Sequence, residues 1–510
     1  MVAEEIRPDE LVAEKPRSGS LVAVSIAALL VTGALVWYAC TEAFAWDEGY
    51  HLVAAWLIAH GKQPYIDFVF PQTPLNAYWN ALVLRVLGES WRVPHTVAAL
   101  LTGSAVAMAA GYVYRRLPAS PVSRASAAIA TAVIFGFNTA VFEFGSLQAY
   151  GMCLFMIVAA WLATVSSVDR PGALRPALAG LCAGAAAASS LLTAPVAPVL
   201  LLWMLVVNRT GHWFTKFAGF VTGVIVAFVP LLRLLVQAPH PVIFGFLQYQ
   251  LLYRKVEWDD AGLHNLGEVL GWADSSQAVL LVLLAAGGIV FAWKSDWSSS
   301  FRSEIYLCGC LAVALTIHLL IARPTFSRYF LLTVPFLSIA AGAGLYQVAE
   351  RLASPARATL DQTTRGYTWL AAGILCAVVS YGLCASLFEQ RDDLFWSDVE
   401  NIGAKVREVT PPAASLLADE CVYFLLHREP PSGMELEDSH KLTFSDAEAQ
   451  ALHVLPRPKL DLMVKAGRFD TVEMCDDDEI DRLDLSSLYS KNATVGSCQV
   501  FWKWKGPAEK

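Results

Sequence analysis

Over the first 388 residues, long apolar runs alternate with short polar breaks; beyond that the apolar runs shrink to a few residues. A helix needs roughly 20 apolar residues to cross a bilayer. Runs near that length fall at about 20–40, 93–114, 124–138, 148–167, 176–192, 195–207, 215–236, 276–293, 304–321, 329–349 and 367–388. They predict eleven transmembrane helices. The pair at 176–207 is short and broken by Pro195 and Pro198, the pattern of a bent or re-entrant hairpin. The first run is too long for a signal peptide and lacks a small-residue cleavage site, so it reads as an anchor.

Two of the breaks are long. Segment 41–92 predicts an amphipathic helix over 49–60, a polar turn at 61–63 and a second helix from Pro74 to Gly88. Thr73 fits as N-cap of the latter, Pro74 as its first residue and Gly88 as its stop. At about 14 residues it is too short to span, and both helices are expected at the membrane surface. Segment 237–275 predicts a third such helix over 241–256. Its Phe244, Phe246, Tyr249 and Tyr253, followed by Arg254 and Lys255, suit the headgroup level. In the tail, a helix over 396–409 alternates with short apolar runs at 414–417 and 499–504. The expected fold is an all-α polytopic membrane domain (20–388) after a cytoplasmic end (1–19), followed by a soluble α/β domain (389–510).

Composition agrees with a membrane protein. The chain is 56% hydrophobic and 16% charged, against about 25% charged in an average soluble domain. From Glu389 onward there are 24 acids and 14 bases, while the residues before it hold 21 acids and 23 bases. The tail is thus a distinct acidic module, and no strong basic patch points to nucleic acid. None of the ten cysteines forms a CxxC pair, and Cys308-Gly-Cys310 lies in an apolar run with the wrong spacing for zinc. In an oxidising compartment two of Cys421, Cys475 and Cys498 could pair, leaving one over.

Lys and Arg favour short cytoplasmic loops. With the N-terminus inside, clusters such as Arg115, Arg116 and Arg124 fall on that side, and 41–92, 237–275 and the tail fall outside. Lys62, Arg85, Arg92, Arg254, Lys255, Arg323 and Arg328 break the rule and are candidates for binding anions. Arg254 and Lys255 suit the phosphate of a lipid-linked donor, or snorkel to lipid headgroups.

Asp47 and Glu48 open the helix over 49–60. Asp is a preferred N-cap, and an acid in the first turn suits the helix dipole. His51 shares a helix face with Asp47 and could join it around a divalent ion, although two ligands are a weak signal. Asp67 lies in a turn, where it either stabilises the turn or contacts substrate.

Asp47-Glu48, Pro64-Tyr65-Ile66-Asp67-Phe68 and Pro71-Gln72-Thr73-Pro74-Leu75 together resemble the first extracytoplasmic loop of the C-class membrane glycosyltransferases (GT-C). The branch is that of the protein O-mannosyltransferases and lipid A aminoarabinose transferases. The motif match covers residues 46–92, and the helix layout extends it to about 388. The resemblance implies Asp47 as catalytic base, with Glu48 supporting it or a metal. It implies a second acid from the loop at 138–145, where Glu143 is the only carboxylate; the common position falls near Tyr150, which is not acidic. It implies that Arg328 faces the donor phosphate. A divalent ion on Asp47, His51 and Glu143 is compatible with it but not demanded.

The expected function is transfer of a sugar from a polyprenyl-phosphate carrier to a glycan, lipid or protein acceptor at the outer face of the plasma or inner membrane. The alternative is a transporter or flippase of lipid-linked sugars. Such a protein would carry ionisable residues near mid-membrane or two repeated halves. No repeat is found, and charges sit at loop edges apart from His318.

Overall fold

The computed structural model describes residues 18–41, 47–146, 149–208, 210–251, 261–293, 295–322, 324–353, 360–392, 394–436, 439 and 442–506. Each of the eleven apolar runs is helical. They form α1 (Ser18–Thr41), α4 (Arg92–Arg116), α5 (Pro121–Gly136), α7 (Tyr150–Ser167), α8 (Leu174–Ser189) and α9 (Val196–Val206). The set continues with α10 (Trp213–Gln237), α13 (Ser276–Trp293), α14 (Ser299–Ile321), α15 (Val334–Ala353) and α16 (Leu360–Glu389). Among the described residues six helices are long and apolar enough to cross a membrane by themselves. A seventh crossing is possible where α12 (Ala261–Asp274) and α13 meet at an 80° bend.

The expected hairpin at 176–207 is a break. At 16 and 11 residues, α8 and α9 are short, and Ser190 between them is extended (φ −155°, ψ 124°). Apolar side chains face outward on the membrane helices, among them Leu29, Leu30, Val236 and Tyr381. Their inner faces are small: α8 packs on α10 so closely that a Cβ on Gly180 would meet the Phe220 carbonyl oxygen at 1.9 Å. Such contact lets backbones approach within a bilayer.

Segment 47–92 contains α2 (Glu48–Ala59) and α3 (Leu75–Leu87). Helix α3 keeps Leu82, Val86 and Leu87 exposed, as a surface helix should. Helix α2 differs from the expectation of a surface helix: its residues from Glu48 to Leu57, apart from Tyr50, are buried. The reason is the tail, whose α18 (Glu420–Leu426) packs across α2. Gly49 makes the contact possible, because a Cβ there would meet Cys421 Sγ at 2.8 Å.

The tail holds α17 (Trp396–Val409) and a four-stranded sheet of β1 (Leu416–Leu417), β2 (Thr471–Met474), β3 (Tyr489–Val495) and β4 (Cys498–Trp504). Its order is β1-β2-β4-β3, parallel only between β1 and β2. Cys475 is disulfide-bonded to Cys498, and Cys421 is the one left over, buried against α2.

Candidate active site

The loop motifs build one wall of a cavity through a chain of contacts. Tyr65 turns the backbone with a positive φ of 65°, and the Asp67 carboxylate closes that turn by accepting from the Gln63 N–H at 2.6 Å. The Tyr65 hydroxyl donates to the Gln72 carbonyl. Gln72 in turn donates from its side-chain amide to the Tyr50 hydroxyl at 2.6 Å. Thr73 is not the cap expected of it; its hydroxyl donates to the Ala187 carbonyl of α8 at 3.3 Å, tying the loop to the membrane helices. Pro74 stands at the N-cap instead.

The cavity encloses about 490 Å³. Asp47, Tyr50, Gln72 and Thr73 line it from the loop, and Tyr150 and Ser190 from the membrane helices. Phe246, Tyr249 and Gln250 follow α11 (Pro239–Ile243) and add an aromatic face; His318 and Tyr329 close the far side. The tail contributes Leu436. Phe244 and Tyr249, expected at the headgroups, are buried against Leu436, Leu442, Leu452 and Val454 of the tail. Tyr253, Arg254, Lys255 and Arg323 lie outside the described residues.

Asp47 does not cap its helix. Its backbone is helical (φ −61°, ψ −9°) and its side chain makes no cap hydrogen bond. The carboxylate instead accepts from Arg328 Nη2 at 2.6 Å. Arg328 also lies over the Phe326 ring at 4.6 Å. Its Nε is buried with no protein partner. Residues 327–332 form a 3-10 turn ahead of α15, so Arg328 sits on a loop edge and not within a spanning helix. Tyr150, at the position where the resemblance looks for a second acid, lines the same cavity as Asp47.

The other site candidates separate from Asp47. Glu143 is 6% exposed on α6 (Thr139–Phe144); it accepts from the Ser386 hydroxyl of α16 at 2.9 Å and is not in the cavity wall. Glu48 is 2% exposed and points away from the cavity, with one oxygen on His95 Nε2 and the other 3.3 Å from Trp396 Nε1. His51 is buried behind Tyr50, and burial pushes its imidazole down to about 3, so it is neutral. Both its nitrogens and the Ser146 hydroxyl lack protein partners beside a space of about 10 Å³, the size of one water. Asp47, His51 and Glu143 therefore do not converge on a divalent ion. Among the described residues the one metal-like grouping is Glu473, Cys475 and Cys498, whose cysteines are bonded to each other.

Two of the outer basic residues have partners in the tail. Arg92 forms a forked pair with Glu400 at 2.6 and 3.2 Å, and Lys62 lies 3.4 Å from Glu429. They are docking contacts for the acidic tail.

No family model matches the sequence, and no curated protein matches it. Solved structures do. ArnT from Cupriavidus metallidurans bound to undecaprenyl phosphate aligns over 95% of this chain and 98% of its own, with a TM-score of 0.64 and 16% identity. The apo state of the same protein gives 0.65 over 95% and 97%, again at 16% identity. The chain has a GT-C fold. With this fold the several apolar helices are those of a multi-pass membrane protein, and the small sheet is its C-terminal addition.

Sequence reasoning singled out Asp47 and Arg328 as candidates but did not foresee their pairing. It passed over Tyr50, Gln72 and His95, and it took Trp396 only as the start of a tail helix. The Pro-Tyr-x-Asp-Phe and Pro-Gln motifs were the available signal for Gln72 and Tyr50, since their turn chemistry aims both at one point.

Proposed function

We propose that this chain is a membrane glycosyltransferase that moves a sugar from a polyprenyl-phosphate carrier to an acceptor hydroxyl or amine on the extracytoplasmic side. The observation that carries the proposal is the Asp47 carboxylate in the wall of an aromatic-lined cavity, facing a guanidinium at 2.6 Å. A proton acceptor and a phosphate-binding group in one contact are what a displacement at a sugar phosphate needs. The structural neighbour was solved with undecaprenyl phosphate, in keeping with a carrier of that chemistry.

The mechanism is a single displacement. The acceptor oxygen or nitrogen attacks the anomeric carbon and passes its proton to Asp47. The bond from that carbon to the carrier phosphate breaks, and its electron pair leaves with the phosphate, inverting the centre. Arg328 turns its free Nε and its fork toward the leaving phosphate, and stabilises the charge that develops there. The tyrosines and Phe246 offer ring faces to the sugar, and Gln72, Gln250 and Ser190 offer partners to its hydroxyls. Glu143 and the 252–260 segment are assigned no step.

The outer placement of the tail is supported by its disulfide, which belongs to an oxidising compartment. It is also supported by the tail's contacts with the loop at 47–92 and by the distribution of Lys and Arg. The test is transfer of label from a panel of polyprenyl-phosphate sugars, with the purified protein in lipid vesicles. Movement of the labelled lipid across the bilayer with no transfer would replace this reading by transport.

A further inference from the structure

Glu48 is bound from two sides. His95 of α4 donates from Nδ1 to the Ala39 carbonyl at 2.8 Å and meets one Glu48 oxygen with Nε2. Trp396, the first residue of α17, gives its indole N–H to the other oxygen. The carboxylate is thus held between the membrane helices and the tail. Trp396 is fully buried and lies flat on Trp91, with ring centroids 4.5 Å apart and planes 9° apart. His95 meets the Trp396 ring edge-on at 5.9 Å, which fixes all three rings around Glu48.

Asp47 precedes Glu48 directly, and consecutive Cα atoms are about 3.8 Å apart. Fixing the Glu48 side chain fixes the rotation of the first turn of α2, and with it the direction of the Asp47 carboxylate. Asp47 has no cap bond of its own to do this. Docking of the tail does not depend on the indole N–H, because Arg92–Glu400, Lys62–Glu429 and the Gly49–Cys421 contact hold it as well.

We propose that Trp396 is a positioning residue for Asp47, acting through Glu48, so that the C-terminal domain completes the active site. This rests on the role proposed for Asp47. Trp396→Phe keeps an aromatic ring against Trp91 but removes the N–H together with part of the buried indole, so Trp91→Phe, which loses the same volume beside it, is the control. With the full chain in lipid nanodiscs and a polyprenyl-phosphate sugar that the wild type uses, kcat falls about tenfold while KM for the donor stays within about twofold. The melting temperature falls no further than in Trp91→Phe, which loses the same buried volume. Combining Trp396→Phe with Glu48→Gln costs no more than Glu48→Gln alone, because both changes cut the same link. Trp91→Phe keeps the stack, loses the Trp91–Glu400 bond and retains kcat.

Three results overturn the proposal: wild-type kcat in Trp396→Phe, losses that multiply in the double variant, or equal loss of kcat and melting temperature in Trp396→Phe and Trp91→Phe. The last would make the indole a docking contact only. A wild-type protein that transfers none of the sugars defeats the functional reading itself, and the positioning role falls with it.

Discussion

Arg328 donates to the Asp47 carboxylate at 2.6 Å, although 281 positions separate them in the chain. The pair joins the start of α2 to the turn before α15 beside the cavity that Asp47 lines. Both side chains keep some exposure, 44% for Asp47 and 23% for Arg328, so a ligand can reach either one. In the proposed mechanism, a phosphate that takes the guanidinium would release the carboxylate for the acceptor.

Asp47→Asn separates chemistry from folding. Asn keeps the size, and there is no cap bond to lose. The exposed half of the ion pair is worth little to stability. Transfer should drop by on the order of 10²–10⁴-fold, the usual general-base contribution, with a near-normal melting temperature. Initial rates at saturating donor, beside a thermal melt of the same preparation, decide it. Wild-type rates would remove Asp47 from the mechanism.

Arg328 should not tolerate its conservative partner. Lys offers a point charge, whereas the guanidinium can hold Asp47 with one nitrogen and a phosphate with the others. Arg328→Lys and Arg328→Ala should both raise donor KM or lower turnover, by roughly ten- to hundredfold for Ala. Titrating polyprenyl phosphate as a competitor gives the same comparison without turnover. Equal affinity in all three proteins would leave Arg328 as a partner of Asp47 alone.

Much of this was legible in the sequence, for physical reasons. Apolar run length locates the membrane helices because the bilayer sets it, and the tail helix over 396–409 announces itself by its periodicity. The motifs at 64–75 could be read because turn chemistry is local: Asp67 closes its turn just as an Asp in that place should. What could not be read depends on distant contacts. Helix α2 looked like a surface helix because its burial comes from α18, some 370 residues away. Arg92 and Lys62 looked like anion sites because Glu400 and Glu429 belong to another domain. Glu143 was chosen as the nearest acid, but its helix aims it at Ser386.

Gly49 offers a test of the domain contact itself. A Cβ there would lie 2.8 Å from Cys421 Sγ and 3.0 Å from the Cys421 backbone nitrogen. The nitrogen cannot move without α18. Gly49→Val should therefore destabilise the junction by roughly 1–3 kcal/mol and open the tail to limited proteolysis. Cleavage kinetics identical to wild type would show that α2 and α18 are not in contact in solution.

Glu435 makes the tail's stability depend on pH in a definite direction. It is 9% exposed, and burial pushes its carboxyl up to about 7, with Glu429 adding to the effect and Lys62 and the Gly433 N–H opposing it. The folded domain therefore keeps a proton that the unfolded chain gives up near the ordinary carboxylate value. Its contribution to stability is complete below that value and is lost as pH rises toward and through 7. Glu435→Gln holds the neutral shape at every pH and can still accept from the Gly433 N–H, now 2.9 Å away. The variant should melt with the wild type at pH 4 and above it at pH 8, by up to roughly 3 kcal/mol at about 1.4 kcal/mol per pH unit. Leu436, the next residue, lines the cavity, so the same swap should also tighten the cavity wall at high pH. A melting difference that stays flat from pH 4 to pH 8 would mean that Glu435 titrates like a surface carboxylate, and that the segment beside the cavity is open to water.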